Sequence, residues 1–143
     1  GDHSVVDLVT PVGVGRGGEP VTVRSPGGRV GPGSVWTRRA AGLVQRCHAA
    51  AAGGGVDDDL LALDSMVTDC NSAFFDAANG FAGCIAGCHE VLRRQGLLEG
   101  TWCLNPDEAL GPGQGSEIDR VYAAYPDLND DAFVATGLER WLA

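Results

Sequence analysis

Apolar residues recur three and four positions apart through the middle and end of the chain. Trp36, Ala40, Leu43, Val44 and Cys47 make one such stripe, which predicts a helix with Ser34 as N-cap and Gly53-Gly-Gly55 as its end. Asp57-Asp-Asp59 suits the positive end of a second helix. Its apolar face runs through Leu60, Leu61, Leu63, Met66, Val67, Phe74 and Phe75 to about residue 78, where Asn79-Gly80 breaks it. A third helix spans Ala82 to Gln95 and closes at Gly96, and its Gly83 and Gly87 leave room for a close neighbour. The segment from Leu97 to Gly115, with Pro106 and Pro112, reads as a loop. Ser116-Glu-Ile-Asp119 opens a fourth helix that ends before Pro126. Asn129 caps a fifth, with Phe133, Leu138, Trp141 and Leu142 on or near one face.

The front of the chain has a different character. Ser4-Val-Val-Asp-Leu-Val9 is rich in β-branched residues and reads as a buried strand. Residues 11 to 33 are rich in Gly and Pro. They hold one short β-type run, Val21-Thr-Val-Arg24, and Arg29-Val-Gly-Pro-Gly33 reads as the end of another strand. The predicted order is one or two strands, a long loop and five helices. Strands so few do not close a sheet, and an open edge needs a partner, so the pattern predicts the tail of a larger α/β protein.

Composition narrows the function classes. A chain of 143 residues is one domain or part of a larger one. A net charge of −9 argues against nucleic acid and anionic membrane as partners, because both select a basic face. No apolar run approaches the roughly 18 to 20 residues that a membrane helix needs, and no leader pattern is visible at the front. Five cysteines, Cys47, Cys70, Cys84, Cys88 and Cys103, are odd in number and irregular in spacing, which reads as reduced cytoplasmic thiols. All 10 cationic side chains are arginine. The chain therefore holds no lysine amine for Schiff-base chemistry.

The block from Thr68 to Leu98 resembles part of a known family. Asn71-Ser-Ala-Phe-Phe75 ends a long helix, a helix built on small residues follows, and Val91-Leu-Arg-Arg-Gln-Gly-Leu-Leu98 is similar to an xLxxxGL helix end. Cys103-Leu-Asn-Pro106, Leu110-Gly-Pro-Gly-Gln114 and the helix from Ser116 are similar to the loop and terminal helix that come next. The family is that of dihydrodipicolinate synthase and N-acetylneuraminate lyase. Gly1-Asp2-His3 is similar to the GDD turn after its seventh strand, and Arg29 to Val35 to a degenerate eighth strand.

The resemblance implies an α/β fold: the C-terminal portion of a (β/α)8 TIM barrel with a C-terminal helical extension, predominantly helical in this chain. Residues 1–78 would hold the last strands, the Gly/Pro-rich insertion and barrel helices, and 79–143 the extension. It implies a lyase acting on 2-oxo acids whose Schiff-base lysine precedes Gly1, with no catalytic residue and no cofactor within this chain. The pocket rim would be Gly1, Asp2, His3, Gly31, Gly33 and Ser34. Partners would be a small 2-oxo acid and either further copies of the chain or the remainder of the barrel.

Other readings stand beside it. One is a non-catalytic helical module for binding or oligomerisation. Another is a metal-dependent sugar isomerase or epimerase of barrel type, with Asp2 and His3 as its acid–base pair. Cys84, Cys88, His89, Cys103 and His48 invite a zinc reading, but thiolates in zinc sites sit on tight turns, and a mid-helix pair is more simply packed core. Cys70 with His89 or His48 has no visible activating neighbour for nucleophilic work. Asp57-Asp-Asp59 needs no purpose beyond its helix end, and Asp127, Asp130 and Asp131 read as solvated cap residues. Gly13-Val-Gly-Arg-Gly-Gly18 lacks the Lys-Ser/Thr ending of a phosphate loop and reads as a turn.

Overall fold

The computed structural model describes residues 4–15, 17–18, 20–27, 31–53 and 55–143. The chain runs α1 (Ser4–Val9), β1 (Val12–Val14), β2 (Val21–Val23), α2 (Thr37–Gly53), α3 (Asp58–Phe74), α4 (Cys84–Arg94), α5 (Gln114–Ala124), α6 (Asp131–Ala135) and α7 (Leu138–Trp141). Short 3-10 turns lie at Gly31–Ser34, Ala77–Asn79 and Pro126–Leu128.

The expected barrel portion is overturned. A barrel fragment carries parallel strands, buried and alternating with helices. Among the described residues the sheet is a two-stranded antiparallel hairpin, with Val12 opposite Val23 and Val14 opposite Val21. Every residue of both strands is exposed. Helices pack on helices instead, so only the predominantly helical character of the expectation holds.

The segment Ser4–Val9 is a helix and not a buried strand. Its β-branched content suggests strand, but its burial has helical spacing. Val5 and Leu8, three apart, are 0% and 3% exposed, whereas Val6 between them is 38% exposed. Val5 and Leu8 pack on Ala40, Leu43 and Cys47 of α2 and on Leu60 and Val67 of α3. The Val5 amide, left free at a helix start, donates to Asp64 Oδ1 at 3.0 Å.

A second core joins the C-terminal half of α3 to α4 and α5 through Cys70, Phe74, Val91, Ile118 and Val121. Val35 and Trp36 enter it from the turn before α2. The Trp36 ring meets Phe74 and Tyr122 edge to face, with centroids 4.8 and 5.3 Å away.

Two further readings of the front are corrected. Gly31 to Ser34 is a 3-10 turn, not a strand end. Ser34 is not the N-cap of α2. Its Oγ donates to the Gly31 carbonyl at 3.0 Å, and the first α2 amide bond runs from Ala40 N to Trp36 O. Asp57 does cap α3, accepting from the Leu60 amide at 2.7 Å.

The close neighbour foreseen for Gly83 and Gly87 is the C-terminal end of α3 with Gln114. A Cβ at Gly87 would overlap the Phe74 carbonyl oxygen. Buried Gln114 donates through Nε2 to the carbonyls of Phe74 and Gly83, both at 3.1 Å, and accepts from the Gly111 amide at 2.9 Å. The Phe74 carbonyl belongs to the helix end of α3, where carbonyls lack helical partners, while the Gly83 carbonyl also accepts from the Gly87 amide at 2.8 Å. The fifth predicted helix is two short ones, α6 and α7, broken at Gly137, where the Trp141 indole occupies the space of a side chain. Among the described residues no helix is long and apolar enough to cross a membrane.

Candidate functional site

The N-terminus of α2 breaks a local rule. Arg38 and Arg39 sit in its first turn, where the positive end of the helix dipole disfavours cations. The compensation comes from far along the chain. The Asp130 carboxylate accepts from the Arg38 amide at 2.7 Å and from the Arg39 amide at 3.1 Å. Asp130 is 4% exposed, so this cap is shielded from water. It fixes the arch formed by residues 126–135 against the start of α2.

Between that arch, α2 and α3 lies an open cleft of about 570 Å³. Its floor is apolar: Leu43, Val67 and Cys70 are buried, and Leu63 and Leu128 are half-buried. Arg38, Arg39 and Arg46 stand on its lips, with Asp127 and Phe133 opposite the helix. The size falls in the range of small-molecule sites, about 300–1,000 Å³.

The lip arginines differ from those elsewhere. Arg93 and Arg94 hold Glu90 at 2.7 and 2.8 Å, and Arg94 also holds Asp119 at 2.7 Å. Arg120 holds Asp69 at 2.7 Å and Glu117 at 2.9 Å. Arg38 and Arg39 have no ion pair among the described residues. The Arg38 guanidinium lies over the Phe133 ring, 4.7 Å from its centroid, and Arg39 Nε donates to the Asn129 carbonyl at 3.3 Å. Arg46 reaches Asp57 only at 3.8 Å, with both side chains largely in water. Asp130 also borders the cleft, but its oxygens are engaged by backbone amides.

The residues singled out in the sequence lie elsewhere. Gly1, Asp2 and His3 fall outside the described residues. Gly31, Gly33 and Ser34 share one turn, away from the cleft. Gly31 abuts the Asn71 amide, Gly33 abuts Ala40, and Ser34 Oγ lies 3.8 Å from Cys88 Sγ.

The cysteines are free. Burial pushes the Cys70 thiol up to about 12, and desolvation raises Cys47, Cys84, Cys88 and Cys103 as well. Thiolate, the nucleophilic form, is therefore scarce at neutral pH. Cys103 Sγ stands 4.0 Å from His89 Nδ1. Among the described residues no three His, Cys, Asp or Glu side chains are arranged to hold a metal ion.

Sequence reasoning read Asp130 as a solvated cap and passed over the cleft. One signal was present: two arginines at the start of a helix violate the dipole rule, and such violations mark compensated or functional positions. The chain matches no family model, no curated protein and no solved structure.

Proposed function

We propose that this chain is a non-catalytic binding module and that the α2–α3–arch cleft is its binding site. The observation that carries this reading is the cleft itself: an apolar floor open to solvent, framed by Arg38 and Arg39, which have no ion pair among the described residues, and by Arg46, which meets Asp57 only at 3.8 Å. The floor offers dispersion and burial, and the lips offer orienting donors, which is the usual division of labour in a ligand site. The lyase reading has less support here, since it needed a barrel portion where the described residues pack helix on helix.

Gly42 gives a clean test. It lines the cleft from inside α2, and a Cβ built there meets nothing within 4 Å. Gly42→Leu therefore adds aliphatic bulk at the cleft wall, with open space at its Cβ. It also raises helix propensity by about 0.5–1 kcal/mol. In a thermal-shift screen with small-molecule fragments, the wild-type chain is expected to show stabilising hits. The Gly42→Leu chain is expected to melt higher by itself and to lose those hits. Retention of the same hits by Gly42→Leu would place binding elsewhere and contradict the reading.

A further inference from the structure

We infer that the ligand of this cleft is an amphiphilic carboxylate: one anionic head on an aliphatic tail. The inference rests on the proposed binding role and adds the chemical class. The head group follows from charge. The chain carries −9 overall, yet three cations gather on these lips, and the one ion pair among them in the described residues is the long, exposed contact of Arg46 with Asp57 at 3.8 Å. Asp130 is bonded to the α2 amides, and Asp127 has no ion pair among the described residues. Guanidinium groups bind carboxylates in a planar two-point geometry that ammonium groups cannot copy. Arg38 is held in place by the Phe133 ring, which reduces the entropy lost when it closes on an anion.

The tail follows from the floor. Leu43, Leu63, Val67 and Leu128 supply aliphatic surface, and the raised Cys70 thiol stays protonated there and behaves as an apolar group. The side chains of Leu43, Leu63, Val67 and Leu128 offer no donor or acceptor to a polar ligand core. A sugar or nucleotide would bury hydroxyl and amide groups unpaired against them, at a cost that excludes tight binding. An aliphatic chain loses nothing by the transfer and gains the burial of each methylene. The excess negative charge of the whole molecule slows encounter with anions, so the attraction is local and depends on these three side chains.

The test is isothermal titration calorimetry of the full chain with decanoate, decanol and decyltrimethylammonium, each below its aggregation concentration. Decanoate is expected to bind the wild-type chain at least tenfold more tightly than decanol, and the cationic probe more weakly still. Arg38→Gln with Arg46→Gln is expected to weaken decanoate about five- to tenfold while leaving decanol unchanged, as the loss of exposed charge-assisted contacts predicts. Gly42→Leu is expected to abolish binding of both. Equal affinity for decanoate and decanol, with both lost in Gly42→Leu, would overturn the carboxylate class and leave the cleft as a site. No binding of any of the three probes would overturn the class and the binding role together. Decanoate binding that survives Gly42→Leu would place the anion outside the cleft and overturn the inference.

Discussion

Asp130 gives α2 a cap that no neighbouring side chain supplies, and the two amides it engages lie 92 and 91 positions away in sequence. Asp130→Ala leaves those amides without a partner and two arginines at the positive end of the helix. It is expected to lower stability by about 1–2 kcal/mol. Urea unfolding followed by circular dichroism measures this, and an unchanged midpoint would mean that the cap is dispensable. Glu90 offers a second test. Its hydrogen bond from Arg93, with help from Arg94, pulls the carboxyl from 4.5 to about 2. A depressed folded-state value means that the charged form stabilises the fold above the unfolded value. That contribution is lost as pH falls from about 4.5 toward 2. Glu90→Gln is therefore expected to be less stable than wild type at pH 7 by about 1–2 kcal/mol, below what the whole shift would give because water reaches Arg93. The gap is expected to close near pH 2. A gap that stays constant across that range would assign the loss to packing and not to charge.

At the scale of elements, α2 and α3 were legible from an apolar stripe with a breaker after it, and α4 and α5 from the punctuation around them, Gly96 after one and Ser116 and Pro126 about the other. Leu43 and Cys47, and Val67 and Phe74, fall in the cores as their spacing implies, whereas Leu61, placed on the same α3 face, is 47% exposed. The front was misread for an identifiable reason. In Ser4–Val9 the β-branched content suggests strand, while the burial of Val5 and Leu8 is set by the surfaces of α2 and α3, which the local sequence does not display. The barrel expectation failed at a different place, since the eighth strand it put at Arg29 to Val35 is a 3-10 turn over Gly31–Ser34. The two assignments differ in a measurable way. In a strand, Val6 and Leu8 share a face and respond alike to substitution. In the helix, Val6→Ser is expected to change stability by less than about 0.5 kcal/mol, whereas Leu8→Ser is expected to cost about 3 kcal/mol. Equal losses at the two positions would restore the strand.

For the whole molecule, the cleft arises from contacts distant in sequence. The arch closes on α2 through Asp130, α3 supplies half of the floor, and the arginines come from α2. No run of residues carries this arrangement, which is why composition and motif reading centred on Gly1, Asp2, His3, Gly31, Gly33 and Ser34 instead. The charge distribution follows the same logic: Arg94 and Arg120 tie helices together, Arg93 pairs with Glu90 on its own helix, and Arg38 and Arg39 are left without an ion pair among the described residues. The most direct test of the account is a methyl-resolved NMR spectrum recorded while a mixture of small anionic, neutral and cationic amphiphiles is added. The account predicts that shifts concentrate on the methyl groups of Leu43, Leu63, Val67 and Leu128. Shifts concentrated instead around Ile85 and Leu104, with those four methyl groups unmoved, would contradict it.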